Sequence, residues 1–310
     1  MRLGVLDVGS NTVHLLLVDA RRGGHPLPAL SEKSVLRLAE HVNASGRLSK
    51  TGAEALVSAV STARQSAKRY GADDLLAFAT SAVREASNSA AVIDRVRAET
   101  GVDLQVLTGD DEASLTFLAV RRWYGWSAGR LLVLDIGGGS LEVAGGMDES
   151  PDVAMSVPLG AGRLTRERLQ GDPPGEAAVD SLRAYVDKQL TPVIRAVRNA
   201  GPPDRVVATS KTFRSLARLG GAAPSSAGPR AHRTLTLAGL RQVIAFVQRI
   251  PAADLSSLEG VSAARAHQLL AGAVVAEAAM RLMRVESVEL CPWALREGVI
   301  LRRLDWLDSS

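Results

Sequence analysis

The chain has 310 residues, of which 46% are apolar and 23% charged, the composition of a globular protein with a sizeable core and room for two domains. That composition excludes a disordered chain, and the single cysteine, Cys291, excludes an intrachain disulfide and a multi-cysteine metal site. The net charge of +4, with Arg outnumbering Lys, suits a polyanion through guanidinium–phosphate geometry, although coding bias gives the same balance.

The amino terminus enters a strand-like segment, Leu3-Gly-Val-Leu-Asp7, with no basic leader or cleavage pattern, and no apolar run is long enough for a bilayer. A cytoplasmic location with no membrane partner is therefore expected. The first strand ends in an acid and runs through Ser10, Asn11 and Thr12 into a second apolar run, Val13 to Val18. The pattern returns at Leu131-Leu-Val-Leu-Asp135, followed by Gly137, Gly138, Gly139 and Ser140 and then by Leu141 to Ala144. Both copies read as β-hairpins with special residues in the turn, and two copies point to two related domains.

Between them, Thr51 with Glu54 reads as a capping box for a helix reaching Tyr70. Leu75 to Thr80 reads as a buried strand, Asn88 to Thr100 as a helix stopped by Gly101, Asp103 to Leu107 as a strand and Asp110 to Arg122 as a helix. Beyond a boundary near Tyr124–Ala128 come a helix from Glu176 to Arg198 bent near Pro192, a strand from Arg205 to Ala208, and a loop over 220–233. Helices over Leu237–Arg249 and Ala263–Met283, a strand at Ser287–Leu290 and a closing helix complete the pattern. Alternation of this kind indicates α/β domains. We expect them over residues 1–125 and 126–310, with the closing helix free to pack back on the first.

A glycine-rich turn lets backbone N–H groups approach phosphate oxygens with no Cβ in the way, which Gly137, Gly138 and Gly139 provide. Ser10 and Asn11 add side-chain donors in the first copy. One aspartate at a strand end reads as a turn cap; the pair Asp7 and Asp135 inside a repeated motif reads as a hydrated Mg²⁺ site. The five histidines lack zinc-ligand spacing, and His14 on its apolar strand reads as a core histidine as readily as a catalytic one. There is no P-loop and no nucleophile elbow, and the aromatic residues form no basic stacking platform, so nucleic acid is not expected as a partner.

Four motifs in order, Asp7-Val-Gly-Ser-Asn-Thr12, Thr80-Ser-Ala-Val-Arg-Glu-Ala86, Thr108-Gly-Asp-Asp-Glu-Ala113 and Asp135-Ile-Gly-Gly-Gly-Ser140, carry a resemblance. With Arg37-Leu, Gly46-Arg-Leu-Ser49 and Leu295-Arg-Glu-Gly298, the chain resembles the exopolyphosphatase / guanosine pentaphosphate phosphohydrolase family in its short two-domain form, without the further helical domain of longer members. The resemblance implies two actin-like (ribonuclease H-like) α/β domains with a cleft between them. It implies Glu112 as the general base for water, Arg84 as a clamp on the transferred phosphoryl group, and Glu142 beside Asp7 and Asp135 as a metal ligand. Asp110 and Asp111 read as first-turn acids that complement the helix dipole. Ser10, Asn11, Gly137, Gly138, Gly139, Ser140 and Lys211 are the implied phosphate-binding groups. Mg²⁺ as cofactor, K⁺ as activator, a homodimer, and inorganic polyphosphate or guanosine pentaphosphate as substrate follow from the same resemblance. An ATPase or kinase of the same fold and a non-enzymatic actin-like scaffold are the rival readings.

Three departures from the family pattern stand out. Thr209-Ser-Lys-Thr212 has Lys211 where the family has glycine, which would block close backbone approach and add a cation suited to a phosphate chain. His267 stands where an acid is expected and reads as a surface or inter-helix histidine. Cys291-Pro-Trp293 replaces small and acidic residues ahead of Leu295.

Overall fold

The computed structural model describes residues 1–20, 27–43 and 45–307. They divide into two compact units, Met1–Leu115 with Leu295–Ser310, and Thr116–Ala294. The first unit opens with an antiparallel meander of β1 (Arg2–Val8), β2 (Thr12–Asp19) and β3 (Leu27–Val35). Helix α1 (Lys50–Arg69) crosses to β4 (Asp74–Ala79), which lies parallel to β1; α2 (Ser81–Arg84) and α3 (Ser89–Thr100) lead to β5 (Leu104–Val106), parallel to β4. The sheet order is β3-β2-β1-β4-β5. Helix α4 (Gly109–Tyr124) begins in this unit and carries the chain into the second.

The second unit repeats the plan. Strands β6 (Leu131–Ile136), β7 (Leu141–Gly146) and β8 (Val153–Val157) form the meander, and α5 (Ala161–Arg168) and α6 (Glu176–Ala200) lead to β9 (Arg205–Ala208), parallel to β6. Then come α7 (Ser210–Leu219), β10 (Thr234–Thr236), α8 (Leu237–Val247), α9 (Ala252–Leu255), α10 (Leu269–Leu282) and β11 (Ser287–Leu290), before α11 (Leu295–Leu307) returns to the first unit. The order β10-β11-β9-β6-β7-β8 contains the first sheet's plan with one added edge strand, β10. Two α/β units are what the alternation of strands and helices indicated, and their shared plan agrees with the two actin-like domains that the resemblance implied.

The strand pattern follows from burial on both faces. In the first sheet Leu6, Val8, Leu15 and Leu17 pack on Leu56, Val60 and Val96 of α1 and α3. The alternate residues Leu3, Val5, Leu16 and Val18 pack on the other face with Phe78 and Ile300 of α11. A sheet covered twice selects near-continuous apolar strands instead of a half-polar alternation. In the second unit α10 is buried almost all round, so its Ala-rich run sits in the largest core. No helix among the described residues is long and apolar enough to cross a membrane.

Some expectations move. The cap of α1 is Ser49, whose hydroxyl accepts from Gly52 N at 3.1 Å, so Thr51 lies inside the first turn. The helix expected over 263–283 begins as a 3₁₀ segment, Ala263–Gln268, before α10. The loop over 220–233 contains a short 3₁₀ turn, Ser225–Ala227. Gly101 stops α3 in the left-handed region at φ 65° as read.

Helix α11 docks so closely that a Cβ on Gly298 would fall on the carbonyl of Leu115 in α4, inside van der Waals contact. Gly298→Ala should therefore destabilise the protein by at least about 2 kcal/mol, because both partners are backbone and neither can rotate away. A thermal melt beside Gly175→Ala checks it. Gly175 has an ordinary φ of −68° and open space around its Cβ position, so the comparison isolates the packing contribution.

Candidate functional site

In the first unit, strand register places Asp7 opposite His14 across the β1–β2 hairpin, and Gly9 N donates to Thr12 O at 3.0 Å to close the turn. The turn carbonyls are used by neighbouring backbone: Ser10 O accepts from Ala39 N at 3.3 Å, and Asn11 O from Leu36 N at 2.9 Å and Arg37 N at 3.0 Å. Arg37 meets this turn with φ 47°, in the left-handed region. Ser10 and Asn11 are both buried, and Ser10 Oγ lies 3.0 Å from Ser81 Oγ at the start of α2.

That hydroxyl pair leads to the catalytic candidates. Helix α2 is a single turn, and Arg84 at its end donates to Leu107 O at 2.9 Å and to Glu112 Oε1. Glu112 is 6% exposed in the first turn of α4, where Asp110 and Asp111 are more open. The Thr108 hydroxyl accepts from Asp111 N at 3.1 Å and donates to Asp111 Oδ2 at 2.7 Å, which caps the helix and fixes the orientation of Glu112. A guanidinium against a buried carboxylate favours its charged form, the form able to accept a proton. Arg84 is thus bonded to the candidate base itself, while Arg84 Nη2 lies 4.0 Å from Glu85. Sequence reasoning did not find this partnership.

On the other side of the hairpin Arg296, from the first turn of α11, lies 3.8 Å from Asp7 Oδ2 and donates to His14 Nδ1. Nδ1 must then be the acceptor, so Nε2 carries the proton and donates to Ser31 Oγ at 2.8 Å. Burial first, then Arg296 and Lys33, pull the His14 pKa from 6.5 down to about 3. His14 is a neutral structural acceptor that holds an arginine beside Asp7.

In the second unit the register sets Asp135 opposite Glu142, and Gly137 N donates to Ser140 O at 2.9 Å, repeating the closure of the first turn. All three glycine carbonyls turn back onto α5. Gly137 O accepts from Ala161 N at 3.0 Å, Gly138 O from Arg163 N at 2.9 Å, and Gly139 O from Arg163 Nε at 2.8 Å. Among the described residues, the N–H groups of Gly138 and Gly139 have no hydrogen-bond partner. Successive amides in this state form a concavity for an anion. Gly160, which caps α5, makes the approach possible, since a Cβ there would overlap the Gly139 backbone. Gly160 and Arg163 were missed by sequence reasoning, although Gly160-Ala-Gly162 ahead of a helix was the available signal.

Thr209 donates its hydroxyl to Asp135, and Ser156 Oγ donates to Glu142 Oε1 at 2.8 Å. Among the described residues no three His, Cys, Asp or Glu side chains gather to hold a metal. Asp135 and Glu142 side by side nevertheless fit a hard cation that keeps most of its water, as Mg²⁺ does. Asp7 lies in the other unit. In the Thr209-Ser-Lys-Thr212 turn the left-handed residue is Ser210, at φ 69°, and Lys211 is already helical. The backbone strain of this turn lies at Ser210. Partial burial, then Arg214 and Arg265, lower the Lys211 pKa from its ordinary value. His267 is exposed, Cys291 is buried, and Trp293 packs edge-on against Trp123 with ring centroids 5.3 Å apart.

A model of the Ppx/GppA phosphatase family matches residues 17–307. The chain is 64% identical over 305 residues to Exopolyphosphatase 1 of Mycobacterium tuberculosis, covering 98% of this chain and 89% of that one. It is 62% identical to Exopolyphosphatase 1 of Mycobacterium leprae, over 98% of this chain and 90% of that one. A crystal structure of an exopolyphosphatase from Cytophaga hutchinsonii superposes with a TM-score of 0.89 at 25% identity, covering 99% of this chain and 98% of that one.

The His14 geometry has a pH signature. The unfolded chain protonates this histidine near 6.5 and the folded protein only near 3. The stability it contributes is therefore full above pH 6.5 and falls away as the pH drops from there toward 3. Nuclear magnetic resonance should show the His14 imidazole silent between about pH 5 and 8. His14→Gln should flatten the loss of thermal stability over the same range.

Proposed function

We propose that this chain, which belongs to the Ppx/GppA phosphatase family, is an exopolyphosphatase that releases the terminal phosphate of inorganic polyphosphate. The observation that carries the reading is the buried Glu112 at the start of α4, bonded to Arg84. In the reaction, water oxygen attacks the terminal phosphorus as its proton passes to Glu112. The bridging P–O bond breaks, and its electron pair leaves with the shortened chain. Arg84 keeps Glu112 ionised and oriented, and the Leu107 carbonyl fixes Arg84 in turn. Within the second unit the amides of Gly138 and Gly139 are the phosphate donors, and within the first Ser10 and Asn11 are the corresponding polar side chains. Asp135 and Glu142 are the carboxylates of the second unit that would hold Mg²⁺, which when bound would neutralise phosphate oxygens. A cytoplasmic homodimer belongs to the same reading, on the strength of the family resemblance alone.

Glu112→Gln keeps the shape of the side chain and removes the base. It should lower kcat by about 10²–10⁴-fold while polyphosphate still binds. Phosphate release from polyphosphate and from guanosine pentaphosphate, run side by side with Mg²⁺, tests the assignment. Unchanged kcat in the variant would reject Glu112 as the base. Release from guanosine pentaphosphate alone would reject the substrate.

A further inference from the structure

Each of the two sheets ends in two open strands, and three of these edges are blunted. Strands β5 and β10 have only three residues each. Strand β3 carries Pro28 and Lys33, and its register against β2 breaks between Leu17 and Val18. Short length, proline, lysine and irregular register are the means by which an edge is kept from pairing with another chain. Strand β8 has none of them. Its residues, Val153-Ala-Met-Ser-Val157, are uncharged and free of proline, pair with β7 in unbroken register, and are all partly exposed.

Register shows which backbone groups face outward. Closure of the turn between Gly137 and Ser140 directs the Ser140 backbone toward β6, so Leu141, Val143 and Gly145 bond to Val157, Met155 and Val153. The N–H and C=O groups of Ala154 and Ser156 therefore point away from β7. Among the described residues no other element donates to them or accepts from them. Two donors and two acceptors thus stand in a row along one edge.

A second copy of the same strand, laid antiparallel about a two-fold axis at Met155, meets all four groups. Ala154 exchanges both bonds with Ser156 of the copy, and Ser156 does the same with Ala154 of the copy. Met155 faces itself across the axis and Val153 faces Val157, so one side of the seam is apolar and no like charges oppose. The same operation about Glu32 or Lys33 of β3 would set like charges against each other. Asp152, just ahead of β8, is already engaged by Arg130.

We propose that β8 is the seam of a homodimer, in which the sheets of two second units continue into one another through an antiparallel β8–β8 pair. A five-residue edge alone is short of the roughly 1,200 Å² of a tight interface, so the pair forms reversibly as concentration rises. The seam gives the expected homodimer a surface and does not depend on the substrate assigned above.

The test is sedimentation velocity of the full chain over a concentration series, which should show a monomer–dimer equilibrium. Ala154→Pro removes one outward N–H from each strand and leaves the β7–β8 bonds in place. It should raise the dimer Kd at least about tenfold, the effect of two lost hydrogen bonds. Ser156 is left intact because its hydroxyl donates to Glu142. Met155→Cys gives a readout that a folding defect cannot imitate. Facing residues of a non-hydrogen-bonded pair lie within disulfide reach, and the native Cys291 is buried, so oxidised glutathione should link two chains through position 155. In the wild type, exchange of the Ala154 and Ser156 amides should slow as concentration rises. A chain that stays monomeric, a dimer Kd unchanged by Ala154→Pro, no link in Met155→Cys, or exchange at those amides independent of concentration would each overturn the seam. Phosphate release by a strictly monomeric chain would overturn the seam and leave the proposed function standing.

Discussion

The interaction on which the second unit's chemistry depends is the capture of three consecutive glycine carbonyls by one short helix. A peptide unit has a donor on one side and an acceptor on the other, so fixing where the carbonyl points also fixes where the next amide points. Ala161 N, Arg163 N and Arg163 Nε hold the oxygens of Gly137, Gly138 and Gly139, and the amides between them are left facing away from α5. Such donors are oriented before any phosphate arrives, which is what makes an anion site effective at little reorganisation cost. The first unit repeats the logic with different means. Backbone amides of Leu36, Arg37 and Ala39 consume the oxygens of Ser10 and Asn11, and polar side chains replace the glycines.

Arginine does the remaining positioning. Arg84 ties a buried acid to a backbone carbonyl, Arg296 ties the β1–β2 hairpin to α11 through His14, and Arg121, itself buried, clips α4 to the carbonyls of Gly129 and Gly146. The planar five-donor guanidinium suits this because one side chain can hold several fixed oxygens at once. A buried carboxylate such as Glu112 survives only with such a partner; removing one member of a buried pair costs about 3–5 kcal/mol. Catalytic readiness and local stability therefore rest on the same contact, and the neutral state of His14 follows from burial first and then from the same crowding of positive charge.

Much of this was legible in the sequence, for local reasons. Acid-ended apolar strands with glycine or Ser-Asn turns announce both hairpins, and the duplicated topology explains why the pattern occurs twice. The third strand of each meander was not legible. Strand β3, Leu-Pro-Ala-Leu-Ser-Glu-Lys-Ser-Val, is an open edge with little alternation, and every residue of β8 is only partly buried. Helix α5 escaped notice because two glycines near its start lower its helical signal, yet those glycines are what permit its contact with the turn. The left-handed residue of the Thr209–Thr212 turn, Ser210, carried no signal in the sequence. Lys211 replaces a family glycine, but the backbone bends at its neighbour. The pairing of His14 with Arg296 joins residues 282 positions apart, and no spacing rule reaches that far.

The central claim is that the amides of Gly138 and Gly139 receive phosphate oxygens. The most direct measurement is amide nuclear magnetic resonance of ¹⁵N-labelled protein titrated with polyphosphate. The account predicts that the Gly138 and Gly139 amide signals move first and furthest, and that Gly160→Ala, which pushes α5 off the turn, weakens the response. Signals from those two glycines that stay in place while polyphosphate saturates the protein would contradict it.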